Sequence, residues 1–174
     1  PPGGSGRHMR LDTIINRDAL CALRELPAES VHCCVTSPPY YALRDYGMDA
    51  QIGREDTPEQ YIDRLVEVFR ELRRVLKDDG TFWLNIADTY CGTGMKAGCK
   101  QKDLIGIPWL LAFALRSDGW YLRSDIIWQK ENPMPESVKK MIVADASKVE
   151  EVASQVDFIF CAVNMPKDEI KALE

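Results

Sequence analysis

The sequence predicts a three-layer α/β domain with a mostly parallel, Rossmann-like sheet, and three observations carry that prediction. Short runs rich in apolar and β-branched residues, at Val31 to Thr36, Thr81 to Ile86, Trp120 to Lys130 and Val156 to Val163, have the length and composition of buried strands. Between them lie stretches whose apolar residues recur at helical spacing. The turns that follow the strands are polar or proline-bearing, as they are where open α/β sheets place their ligand crevice.

Composition bounds the rest. The 174 residues are 45% hydrophobic and 28% charged, which suits one globular domain with a sizeable core. No apolar run reaches the roughly 18 residues that a membrane span needs, so the chain is expected to be cytoplasmic and to have no membrane partner. The net charge of -5 excludes a strongly basic nucleic-acid surface, so contacts to phosphates must come from a local patch. Six cysteines without a Cys-x-x-Cys pair read as reduced thiols, and no metal site is expected.

Residues 1–8 read as an expression tag and linker, with the native start at Met9. Leu11 to Asn16 reads as a short strand. Asp18 then serves as N-cap of a helix over Ala19 to Leu26, stopped by Pro27. The run from Val31 reads as a buried strand that breaks off at Pro38 and Pro39, because a proline cannot donate to the ladder. Ala42 to Asp56 is a polar loop. Thr57-Pro58-Glu59-Gln60 is a helix start, with the threonine as cap and the proline at the first helical position. Its apolar face, Tyr61, Leu65, Val68, Phe69, Leu72, Val75 and Leu76, ends at Asp78-Asp79-Gly80. The strand Thr81 to Ile86 exits into Ala87-Asp88-Thr89-Tyr90 and a Gly- and Lys-rich loop. A largely apolar helix starts at Ile107-Pro108, and Trp120 to Lys130 is the strand after it. The tail repeats the pattern, with strands at 141–145 and 156–163 and helices at 146–155 and 166–173.

The segment with the most chemistry is Ser37-Pro38-Pro39-Tyr40. A hydroxyl, a stiff backbone with carbonyls free of sheet pairing, and an aromatic plate together suit a flat heterocycle with an exocyclic amine. The oxygens accept from the amine and the ring stacks on the base. Ser-Pro-Pro-Tyr after a β-branched strand resembles the motif of the AdoMet-dependent DNA amino-methyltransferases, which modify N4 of cytosine or N6 of adenine. Asn-x-Asp-Ala-Leu ahead of it, Leu-Arg-Asp-Tyr-Gly behind it, and Ile-Ile-Trp-x-Lys-x-Asn-Pro-x-Pro at 126–135 resemble the same family.

The resemblance covers residues 9–139 and implies the N-terminal catalytic half of a restriction-modification enzyme acting on DNA. Ser37, Pro38, Pro39 and Tyr40 would be catalytic. Asp18 is either the helix cap or a cofactor contact near the adenosine of S-adenosyl-L-methionine. Arg44 and Asp45 belong either to a plain surface loop or to the pocket of the target base. Trp128 is either core or, with Lys130 and Asn132, a wall of that pocket. Serine at position 37, where an aspartate is the alternative, resembles the cytosine-N4 group.

The family's AdoMet-binding Phe-x-Gly-x-Gly turn does not occur in the sequence, so the chain is expected to be inactive alone. Residues 140–174 instead resemble a segment of aspartate-semialdehyde dehydrogenases, which implies a join near residue 139. That family's active-site cysteine segment is missing, so no catalytic role follows for Cys161. Two rival readings stay open: a nicotinamide-dependent dehydrogenase fragment, and a Rossmann-like domain without catalysis. A truncated sheet also leaves a free edge, through which two copies could pair.

Overall fold

The computed structural model describes residues 11–95, 98–129 and 156–163, without the side chains of 129 and 156–163. Among the described residues, three helices and four strands follow one another: α1 (Ala19–Glu25), β1 (Val31–Thr36), α2 (Pro58–Val75), β2 (Leu76–Ala87), α3 (Ile107–Ser117), β3 (Tyr121–Gln129) and β4 (Val156–Val163). The strands form one sheet in the order β1-β2-β4-β3. β1 and β2 are parallel, and β4 runs antiparallel to both β2 and β3. Three of the four strands therefore share a direction, as a Rossmann-like sheet requires.

Local signals explain the helices. Thr57 is extended and its side chain accepts from the Gln60 amide, while Pro58 takes the first turn, where its missing N–H costs nothing. The buried row Tyr61, Leu65, Val68, Phe69 and Leu72 then faces the sheet. Asp18 caps α1 by accepting from the Cys21 amide at 3.0 Å, and that bond holds its carboxyl below the ordinary range. α1 is tied to α2 through Arg74, which donates to the carbonyls of Leu23 at 2.9 Å and Leu26 at 3.1 Å, satisfying orphan acceptors at the helix end.

The core lies between the helices and one face of the sheet. Phe82, Leu84 and Ile86 alternate inward from β2 and meet Leu65, Phe69, Leu72, Leu111 and Leu115. The opposite row, with Val35 registered beside Trp83, has no described helix against it, and Val35 is 77% exposed. The helices expected at 146–155 and 166–173, and the strand expected at 141–145, lie outside the described residues.

Three expectations change. Leu11 to Asn16 forms no strand, and Ile14 is 95% exposed, because no neighbouring strand among the described residues offers it a ladder. β1 is a partly exposed edge strand, not a buried one. β2 starts at Leu76, so Asp78-Asp79-Gly80 lies inside a strand. Those residues form an irregularity there: Val31 pairs with Leu76 but Cys33 with Thr81. The tail strand β4 is inserted between β2 and β3, with Phe82 opposite Ala162 and Leu122 opposite the same residue. Cys34, half-buried on β1, has its thiol pushed up to about 11 by burial first and by neighbouring Cys33 second.

Candidate functional site

β1 stops pairing at Thr36, opposite Leu84, although β2 continues to Ala87. The next four residues turn away from the sheet, and with Leu43, Arg44 and Tyr46 they line a cavity of about 300 Å³ at the C-terminal end of β1. The Ser37 hydroxyl donates to the Tyr40 phenol oxygen at 3.1 Å. With its one proton given away, Ser37 keeps its lone pairs for an incoming donor.

Consecutive tyrosines part company here. Tyr40 lines the cavity, whereas Tyr41 is buried against Tyr61, with ring centroids 5.5 Å apart. Burial raises the phenols of Tyr41 and Tyr61 above their ordinary value, so both stay protonated. The Tyr61 hydroxyl donates to the Pro39 carbonyl at 2.9 Å. Among the described residues, no hydrogen bond takes the Pro38 carbonyl.

The loop behind the turn is braced from several sides. Gln51 donates to the Arg44 carbonyl and accepts from the Tyr46 amide, both at 2.7 Å. Asp45 accepts from the Gly47 amide at 2.7 Å and pairs with Arg54 at 2.8 Å. Asp45 therefore does not line the cavity; it lines a neighbouring polar cleft with Arg54, Glu55 and Arg64. Glu55 accepts from the Gly53 amide at 2.8 Å and from Arg64 at 3.4 Å.

A second structured turn follows β2. Asp88 accepts from the amides of Thr89 at 2.8 Å, Gly106 at 2.9 Å and Ile107 at 3.0 Å. Gly106, the N-cap of α3 at φ 84°, has no side chain with which to cap, and Asp88 supplies the missing acceptor from across the loop. Burial pushes its carboxyl above the ordinary value, although the three amides pull the other way. An acid whose folded pKa is raised binds its proton more tightly when folded. Its ionisation therefore lowers stability as pH rises from the ordinary carboxylate range through the raised value. Asp88→Ala should cost about 1 kcal/mol through the lost cap. Asp88→Asn should cost less and flatten that pH dependence; thermal melts of both from pH 4 to 8 check it.

Of the residues singled out from the sequence, Ser37, Pro38, Pro39, Tyr40 and Arg44 come together at the cavity. Trp128 is exposed on β3, at the far edge of the sheet, with β2 and β4 between it and β1, roughly 14 Å at ordinary strand spacing. Lys130 and Asn132 lie outside the described residues. Sequence reasoning missed Gly53 and Tyr61. The one available signal was a tyrosine on the buried face of α2, since a buried phenol needs a partner for its hydroxyl.

A Rossmann-like sheet with a proline-stiffened, hydroxyl- and ring-bearing turn beside a cavity at a strand's C-terminal end is the arrangement in which open α/β folds place their ligand crevice. Among solved structures, TTHA0409 from Thermus thermophilus, in complex with S-adenosyl-L-methionine, is similar at a TM-score of 0.60 and 25% identity, over 86% of this chain and 54% of that one. PvuII DNA methyltransferase (cytosine-N4-specific) shares the fold at a TM-score of 0.59 and 18% identity, over 87% and 49%. The family model described as DNA methylase, of the N6 and N4 type, matches residues 31–172, and the chain belongs to that family. Type II methyltransferase M.XycI of Xanthomonas campestris pv. cyanopsidis is 52% identical over 166 residues, 80% of this chain and 55% of the relative. Type II methyltransferase M.Cfr9I of Citrobacter freundii is 54% identical over 147 residues, 73% and 49%. The chain thus spans about half the length of these curated relatives.

Proposed function

We propose that the chain is the base-binding, catalytic-turn half of a DNA amino-methyltransferase, with cytosine N4 favoured over adenine N6. The observation that carries this reading is the cavity lined by Ser37, Pro38 and Tyr40, where the Ser37 hydroxyl is bonded to the Tyr40 phenol and the Pro38 carbonyl takes no hydrogen bond among the described residues. A base turned out of the duplex stacks on Tyr40 and donates from its exocyclic amine to both oxygens. Holding both amine protons against acceptors draws the nitrogen toward a pyramidal shape and leaves its lone pair directed outward. Ser37 offers a neutral acceptor, which supports the cytosine assignment. Arg44, which also lines the cavity, suits the phosphate beside the extruded nucleotide.

AdoMet is the methyl donor this reading implies. Asp18, the acid the family resemblance would place near the adenosine, is exposed and engaged in capping α1, and the sequence carries no Phe-x-Gly-x-Gly turn. The chain alone is therefore expected to give no heat when titrated calorimetrically with AdoMet, and binding would overturn that part of the proposal. Residues 140–174 are read as a segment of different origin from residues 9–139 on their resemblance to aspartate-semialdehyde dehydrogenases alone; the family match itself runs on past residue 139 to residue 172. Pairing of two copies through the edge of β1, which no strand among the described residues covers, is the assembly this half favours, and sedimentation checks it.

The decisive experiment titrates the isotope-labelled chain with deoxycytidine, deoxyadenosine and thymidine, followed by NMR. Resonances of Ser37 to Tyr46 should shift with deoxycytidine most, with deoxyadenosine less, and with thymidine least, because thymidine has no exocyclic amine. An equal response to all three, or none, would overturn the base-binding reading.

A further inference from the structure

We propose that Tyr61 and Gly53 are positioning residues that determine which carbonyl of the Ser37–Tyr40 turn is offered to the base amine, an inference that rests on the function proposed above. Tyr61 is fully buried on α2, its ring packed on Tyr41, and its hydroxyl claims the Pro39 carbonyl at 2.9 Å. Gly53 presses on the same stretch from the loop. Its φ of 95° suits glycine, and a Cβ there would stand 2.7 Å from the Tyr40 carbonyl oxygen and 3.3 Å from that of Pro39. The Gly53 carbonyl accepts from the Ala42 amide at 2.8 Å, closing the contact from the other side.

The consequence is a sorting of three adjacent carbonyls. Pro39 is satisfied by a buried phenol, and Tyr40 is crowded by Gly53 and accepts from the Leu43 amide at 3.5 Å. Pro38 alone of the three keeps its oxygen unpaired among the described residues. A turn that could rotate would offer the Pro39 oxygen as readily and lose the geometry with Ser37; the brace removes that freedom. Tyr61 and Gly53 themselves do not line the cavity.

Tyr61→Phe tests this on the 174-residue chain, because it keeps the ring and removes only the donor. The Pro39 carbonyl carbon resonance should move, circular dichroism should stay that of the wild type, and deoxycytidine affinity should fall about fivefold, the equivalent of one hydrogen bond. Gly53→Ala should displace the Tyr40 carbonyl and weaken binding at least as much; should that variant not fold, Tyr61→Phe still decides. A folded Tyr61→Phe chain that loses thermal stability yet binds deoxycytidine as the wild type does would overturn the positioning role while leaving the proposed function intact. A wild-type chain that ignores deoxycytidine would overturn both.

Discussion

Replacing Tyr40 with alanine should weaken binding of deoxycytidine to this chain by on the order of tenfold to a hundredfold, the usual worth of one base stacked on one ring. Tyr40 lines the cavity and is only half-buried, so its removal exposes little core and the fold should survive. Two effects separate on substitution. The ring supplies the stacking surface, and the phenol oxygen receives the Ser37 proton at 3.1 Å, which fixes the orientation of that hydroxyl. Tyr40→Phe keeps the ring and loses the acceptor, so it should retain most of the affinity for thymidine and deoxycytidine alike while narrowing the preference between them. The preference depends on the amine, and the amine is read by Ser37 and Pro38. Nucleoside titrations of wild type, Tyr40→Phe and Tyr40→Ala check this ordering. Equal affinity in wild type and Tyr40→Ala would remove the stacking role.

What the sequence made legible followed from local chemistry. Thr57 and Pro58 start α2 because a capping hydroxyl and a fixed φ act within one turn, and the break after Thr36 follows from two prolines that have no N–H to pair. The same locality placed Ser37, Pro38 and Tyr40 at one cavity. Strand order was not legible, because a run such as Val156 to Val163 has the same apolar composition at an edge as in the interior; only pairing with both Trp83 and Ser124 puts it inside the sheet. The exposure of Val35 was hidden for a related reason, since β-branched composition reports strand tendency and not what lies against the strand. Gly53 and Tyr61 meet the turn only across 14 and 22 residues of chain, through a close approach and a single hydrogen bond. Periodicity marks Tyr61 as core, which it is, and is silent about the one polar atom that matters.

Phe82→Ala should be the most destabilising of the substitutions considered, costing about 3–5 kcal/mol, a large share of what a domain of this size has. Phe82 is 1% exposed at the centre of the helix-facing row of β2, with its ring centroid 4.8 Å from that of Phe69 on α2 and 5.1 Å from that of Trp120 before β3. Truncation removes both ring contacts and leaves a void next to the small gap already lined by Leu84, Ala112, Leu115, Trp120 and Leu122, and the rigid strand beneath limits collapse. The neighbouring position is the control: Trp83 points to the face without a described helix and is half-buried, so Trp83→Ala should cost clearly less despite removing a larger ring. Urea denaturation of both variants, with the slope compared as well as the midpoint, distinguishes a lost contact from a changed unfolded state. A Phe82→Ala loss no larger than that of Trp83→Ala would mean that the two rows are not buried as the alternation requires. Since the Phe82 ring stands apart from the residues lining the cavity at the end of β1, whatever fraction of Phe82→Ala remains folded should bind deoxycytidine with wild-type affinity, so that stability and recognition are lost through different residues.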